Sequence, residues 1–165
     1  FMSVASLAQD VDMQNTLQLQ LKDGNVTIEM YPDVAPQHVA RIKELVSEGY
    51  YDGLLFHRVI DGFMAQTGDP TGTGAGGSGK LLKAEFNDKP HLRGAVSMAR
   101  KGDPDSADSQ WFICLEEAGH LDGQYTVWGQ VTEGMEFVDN IKKGTQSGGK
   151  VENPDKIVSL KLGAQ

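Results

Sequence analysis

Two alternating segments separated by an Asp-Gly pair constrain this chain most. In TLQLQLK, residues 16–22, Leu17, Leu19 and Leu21 fall on one face. In NVTIEMY, residues 25–31, Val26, Ile28 and Met30 do the same. Successive strand residues point to opposite faces, so each segment buries one side and wets the other. Asp23-Gly24 between them is a strong hairpin turn signal. The chain therefore opens on an antiparallel hairpin. Further short β-like runs follow, separated by turn residues: LLFHRVI, FMAQTG, AVSMAR, QWFICL, YTVWGQV and KIVSLKL. Only two segments carry helical spacing. Val39, Ile42, Leu45 and Val46 predict a helix over about 34–48, with Asp33 as its cap, Pro36 in its first turn and Gly49 as its stop. Met135, Val138 and Ile141 predict a second over about 133–143, with Lys142 and Lys143 at its negative end. Many short strands and two isolated helices exclude a repeating βαβ unit. They predict an antiparallel sheet closing into a barrel or sandwich, with helices over its openings.

A chain of 165 residues suits one domain. We assign 15–165 to it and set 1–14 apart as a leader or flexible arm. Ser6, Leu7 and Ala8 resemble the end of a signal peptide, but no charged or long apolar region precedes them. A formal net charge of −8 opposes general attraction to nucleic acid or anionic lipid. No apolar run is long enough to cross a membrane. Cys114 is the sole cysteine, so an intramolecular disulfide and a cysteine-based zinc site are excluded. Its apolar setting, WFICLEE, reads as packing. Absence of disulfides suits the cytoplasm, and the SLA stretch leaves the periplasm as the alternative.

The run TGTGAGGSGK, residues 71–80, nearly matches a phosphate-binding loop. Such a loop must follow a buried strand and open a helix. Here it follows turn-like QTGDPTG and leads into LLKAEFNDKP, which is poorly periodic. Leu81 stands where Ser or Thr would hold magnesium. A phosphate role is therefore not expected. A long loop within a compact domain is nevertheless often functional.

The segment FHRVIDGFMAQTGD, residues 56–69, gathers a cation, an aromatic ring, a thioether and an amide in Arg58, Phe63, Met64 and Gln66. Asp61-Gly62 breaks it, so its halves can be adjacent strands. The longer stretch YDGLLFHRVIDGFMAQTGD resembles the signature of the cyclophilins, the cyclosporin-binding peptidyl-prolyl cis-trans isomerases. GAVSMAR, DSQWFICL, HLDGQYTVWGQV and GMEFVDNIKKG resemble later family blocks in the family's order, and the likeness runs from Thr16 to Leu162.

The resemblance implies a mainly β fold, a closed eight-stranded antiparallel barrel capped by two α-helices. It implies isomerisation of X-Pro bonds in unfolded or flexible proteins, by a monomer without cofactor or metal. Arg58 is then the central catalytic residue. Gln66 hydrogen-bonds substrate and positions the arginine. Phe63, Met64, Phe112 and Leu121 match the proline pocket. Ala99, Arg100 and Gln110 match groove positions, the first two through their backbone. Gly74 and Ala75 match the edge of a second, shallower pocket, and His57 a structural neighbour. Five departures stand out. His120 occupies the place of a common Trp, which implies weak cyclosporin A binding. Tyr125 replaces a His, as in the bacterial subgroup. Trp111 and Trp128 replace Phe, and Arg100 replaces Asn.

Overall fold

The computed structural model describes residues 13–163. Most of the segment set apart as an arm, residues 1–12, lies outside them. The predicted hairpin forms as β1 (Thr16–Gln20) and β2 (Asn25–Met30). Its register sets Leu17 opposite Ile28 and Leu19 opposite Val26, so the two apolar rows share one face. Six more strands follow: β3 (Arg58–Ile60), β4 (Met64–Thr67), β5 (Ala95–Met98), β6 (Trp111–Cys114), β7 (Val127–Glu133) and β8 (Ser159–Leu162). All pairings are antiparallel, in the order β3-β4-β6-β5-β7-β2-β1-β8.

The expected closure is not made by strand pairing. β3 and β8 are the two ends of an open, curled sheet. The chain just before each end strand bridges the gap instead. Gly53 and Phe56 donate to the Ile157 and Asp155 carbonyls, and Ile157 donates to the Leu54 carbonyl, each at 2.8 Å. A regular ladder cannot continue there. Pro154 has no N–H to offer, and Asn153 sits at φ 49, outside strand geometry.

Helix α1 (Pro36–Ser47) buries His38, Val39, Ile42, Leu45 and Val46, and Gly49 ends it at φ 71. Its start differs from expectation. Asp33 does not cap it; Ala35 holds the cap position without a side-chain bond. The Glu85 carboxylate does the capping, accepting from the Gln37 amide at 3.2 Å and the His38 amide at 2.8 Å. It also pairs with the His38 ring at 2.6 Å. An acid at a helix N-terminus satisfies orphan donors and complements the dipole. Glu85→Ala is therefore expected to cost about 1–2 kcal/mol. A thermal melt should show a fall of roughly 3–8 °C; an unchanged melting temperature would remove Glu85 as the cap.

Helix α2 (Met135–Asp139) is shorter than predicted. β7 extends to Glu133, and Gly134 turns the chain at φ 86 against the Asn25 backbone, where a Cβ would overlap. Beyond Asp139 the chain leaves the helix so that the Gly144 amide can reach the Val59 carbonyl at 2.8 Å.

The β6 run WFIC is buried on both faces. Trp111 and Ile113 join the main core, where Trp111 meets Trp128 edge-on at 5.9 Å. Phe112 and Cys114 point the other way, into a smaller cluster with Met64, Ala95, Ala118 and Leu121. A 3-10 turn (Gly119–Leu121) covers that cluster. This second face carries the site.

Candidate active site

Strand register builds the site as a row. Arg58 lies opposite Gln66, Gln66 opposite Phe112, and Phe112 opposite Ser97. Residues directly opposite on antiparallel strands project their side chains to the same face. The row thus runs from a cation through an amide to an aromatic ring. Beside it lies a cavity of about 210 Å³ lined by Arg58, Phe63, Met64, Gln66, Ala99, Arg100, Phe112, Leu121 and Tyr125. All nine were singled out from the sequence. Phe112 and Leu121 are nearly buried and form its floor, with Met64 wholly buried beside them. Tyr125 meets Phe112 edge-on at 6.0 Å. A second cavity of about 220 Å³ shares Gln66, Ala99 and Arg100 and is edged by Gly74, Ala75 and Gln110. His120 lines neither; its ring lies 5.6 Å from Phe63.

A hydrogen-bonded relay ties Arg58 to the glycine loop. Arg58 Nη1 donates to Gln66 Oε1 at 3.2 Å. Gln66 Nε2 donates to Gln110 Oε1 at 2.9 Å. Gln110 Nε2 donates to the Gly74 and Gly76 carbonyls at 3.0 and 2.9 Å. Each amide has one orientation that satisfies both neighbours. Arg58 Nε also donates to the Gly148 carbonyl at 3.1 Å. A guanidinium has five N–H groups, so three remain without an acceptor among the described residues.

The loop itself is wrapped around two carboxylates. Asp69, 1% exposed, accepts from the Thr71 amide and hydroxyl at 2.8 Å and from the Gly74 and Gly76 amides at 2.6 and 3.1 Å. Burial alone would raise its pKa; the bonds from Thr71, Gly76 and Gly74 together outweigh burial and bring it down to about 2. Asp108 accepts from the Ser78 and Gly79 amides at 2.7 and 3.0 Å. A Cβ on Gly76 would overlap Asp69, and one on Gly77 would overlap Asp108. Neither aspartate was singled out from the sequence. The available signal was Asp69-Pro70-Thr71-Gly72, an arrangement that favours a side-chain-to-backbone turn.

Comparison with known proteins identifies the family. A family described as "Cyclophilin type peptidyl-prolyl cis-trans isomerase/CLD" matches residues 16–162. The chain belongs to that family. A probable peptidyl-prolyl cis-trans isomerase of Brucella suis is 50% identical over 170 residues, covering 95% of this chain and 87% of the relative. Peptidyl-prolyl cis-trans isomerase B of Bacillus subtilis is 50% identical over 127 residues, covering 75% and 88%. A cyclophilin structure from Hirschia baltica superposes with a TM-score of 0.82 at 28% identity, covering 98% of this chain and 81% of that one. A Cryptosporidium parvum cyclophilin type isomerase, solved in the presence of the dipeptide Ala-Pro, gives a TM-score of 0.82 at 27% identity, covering 91% and 99%.

Several features of this cyclophilin-type isomerase differ from expectation. The Ala99 amide is already bonded to the Gln110 carbonyl at 3.0 Å, so it is not open to a peptide. The Arg100 guanidinium folds back onto the Gln124, Lys101 and Gly102 carbonyls. It lies 4.7 Å over the Tyr125 ring and braces that wall as a cation on a π face. Behind Phe112, His91 stacks at 6.2 Å, with one ring nitrogen 2.9 Å from Asp122 and the other 2.9 Å from the Ser97 hydroxyl. These are the residue types of a hydrolytic triad. Ser97 is fully buried and also donates to the Thr126 carbonyl, so the set steadies the pocket floor and does not reach a substrate. His57 is 8% exposed beneath Gly74, and burial lowers its pKa, which fits packing. Burial likewise pushes the Cys114 thiol up to about 12.

Proposed function

We propose that the protein binds X-Pro segments of unfolded or flexible proteins in this groove and catalyses rotation about the prolyl amide, with Arg58 as the donor that stabilises the twisted state. Rotation crosses about 18–20 kcal/mol because amide resonance must be broken. No bond to carbon forms or breaks, so neither a nucleophile nor a proton acceptor is required. The demand is to bind the twisted amide better than either planar form. Twisting returns a lone pair to the prolyl nitrogen and swings the carbonyl. A fixed donor aimed there acts chiefly in the transition state.

The observation that carries this reading is a guanidinium with unengaged N–H groups lining a cavity of about 210 Å³ whose floor is apolar. Phe63, Phe112 and Leu121 would hold the proline ring, with Met64 beneath. The bond from Arg58 to Gln66 pre-orients the donor, so little reorganisation accompanies the reaction. The Ala-Pro dipeptide used with the Cryptosporidium parvum relative supports the choice of ligand. Gly74 and Ala75 would admit the side chain of a neighbouring substrate residue into the second cavity.

A cis-trans exchange assay on an Ala-Pro peptide, with and without cyclosporin A, tests the reading. Acceleration is expected, with weak inhibition. His120→Trp should tighten inhibition roughly tenfold, the scale of one added aromatic contact at an interface. Saturable peptide binding without accelerated exchange would instead make this a non-enzymatic peptide-binding module.

A further inference from the structure

A third cavity, of about 440 Å³, shares Arg58 and Gln66 with the pocket of Phe63 and Phe112. Arg58 therefore stands between the two. Residues 72–74 of the glycine loop form one side of this third cavity, and Gly148 and Lys150 another. Its charged wall residues are Arg58 and Lys150, both cations, in a chain of net charge −8.

Backbone holds these two cations together. Arg58 and Lys150 face each other in an isolated antiparallel bridge. The Val59 amide donates to the Gly149 carbonyl at 2.8 Å, and Gly149 lies so close to β3 that a Cβ would meet Ile60 and Arg58. Like charges directly opposite across strands are unfavourable. An anion between them would relieve this. Lys22, Arg93 and Lys161 have carboxylate partners in Asp155, Asp139 and Asp52; Lys150, like several other lysines, has none among the described residues, and of these it alone lines this cavity. The one fully buried carboxylate among the described residues, Asp69, is turned into the loop and engaged by four donors.

We infer that this cavity is a subsite for an acidic side chain, Asp or Glu, of the substrate close to its X-Pro bond, with Lys150 as the specificity-determining residue. The inference rests on the groove reading given above. The Lys150 ammonium supplies the charge, and an Arg58 N–H not used on the prolyl amide supplies a second donor. Lys150 is exposed, so the preference is modest and salt-sensitive.

The test uses X-Pro peptides carrying Glu, Ala or Lys at each of the positions flanking the bond, assayed on the intact protein. At one position the Glu peptide should exceed the Lys peptide in kcat/KM by roughly two- to fivefold at low salt, the size of an exposed ion pair. Lys150→Ala should abolish the difference while the Ala-flanked peptide is turned over as before; in Lys150→Glu, whose carboxylate can engage Arg58 and lower turnover of all peptides alike, the Glu-to-Lys ratio should reverse. No Glu-over-Lys difference at any position, or one that Lys150→Glu leaves unchanged, overturns the subsite. Dissociation constants for the same peptides, from titration, keep the two readings apart. If no peptide is isomerised the catalytic reading fails, and the Glu-over-Lys ratio of binding constants still decides the subsite.

Discussion

Arg58→Ala should lower kcat/KM on an X-Pro peptide by about 100- to 1,000-fold, the cost of removing one preorganised donor from a developing charge. The fold should survive. Arg58 is half-buried, and its two bonds, to Gln66 and the Gly148 carbonyl, lie at the open end of the sheet beside β3. Their loss is worth about 1–2 kcal/mol. If the donor acts only on the twisted amide, kcat and kcat/KM fall together while KM stays nearly constant. Arg58→Lys gives a sharper comparison. It keeps the charge and loses the planar fork, so one ammonium cannot hold Gln66 and Gly148 and also face the substrate. An intermediate loss is expected. A rate within twofold of the parent in a folded Arg58→Ala protein would remove Arg58 from the mechanism.

What could be read in advance follows a simple division. The hairpin of residues 16–31 and the apolar stripe of α1 are local periodicities, and both formed as predicted. The cap of α1 comes from Glu85, nearly fifty residues downstream, and no pattern near Asp33 signals it. The seam between residues 53–56 and 155–157 joins segments about a hundred positions apart, so an open sheet with a stitched gap could not be told from a closed one. The second helix stopped early because a backbone bond to Val59 competes with it. Within the site, Arg58, Phe63, Met64 and Gln66 were legible because unlike groups crowd into one short segment. Phe112, Leu121 and Tyr125 carry no local pattern that marks a site, and only the family likeness raised them. No local pattern links His91 with Ser97 and Asp122, since their set depends on the chain returning at Asp122. Asp69 and Asp108 sit in polar turns, where a carboxylate ordinarily faces water; the burial of Asp69 and the loop amides that both collect are tertiary facts.

Asp69→Asn should destabilise the protein by about 2–4 kcal/mol, because the amide can accept at one oxygen and its NH₂ end must face N–H donors of the loop. That corresponds to a fall of roughly 5–15 °C in Tm. The pH dependence separates this cause from a simple packing defect. The folded pKa of about 2 lies below the ordinary 3.8. The carboxylate therefore contributes stability that is fully present above about pH 4 and is lost as pH falls through about 2. A depression of that size amounts to about 2 kcal/mol. Urea melts of parent and variant should differ most near neutrality and converge between about pH 4 and pH 2; a gap independent of pH would exclude the charge as its source. Activity should fall too, roughly tenfold, since a misplacement of about 1 Å in a site can cost more. The route is short: Asp69 fixes the Gly74 and Gly76 amides, their carbonyls fix Gln110, and Gln110 fixes Gln66 against Arg58. The loop that nearly matches a phosphate site does gather its amides around an anion. That anion is the chain's own carboxylate, which fills the place a phosphate would need, and ATP with magnesium should show no binding to it.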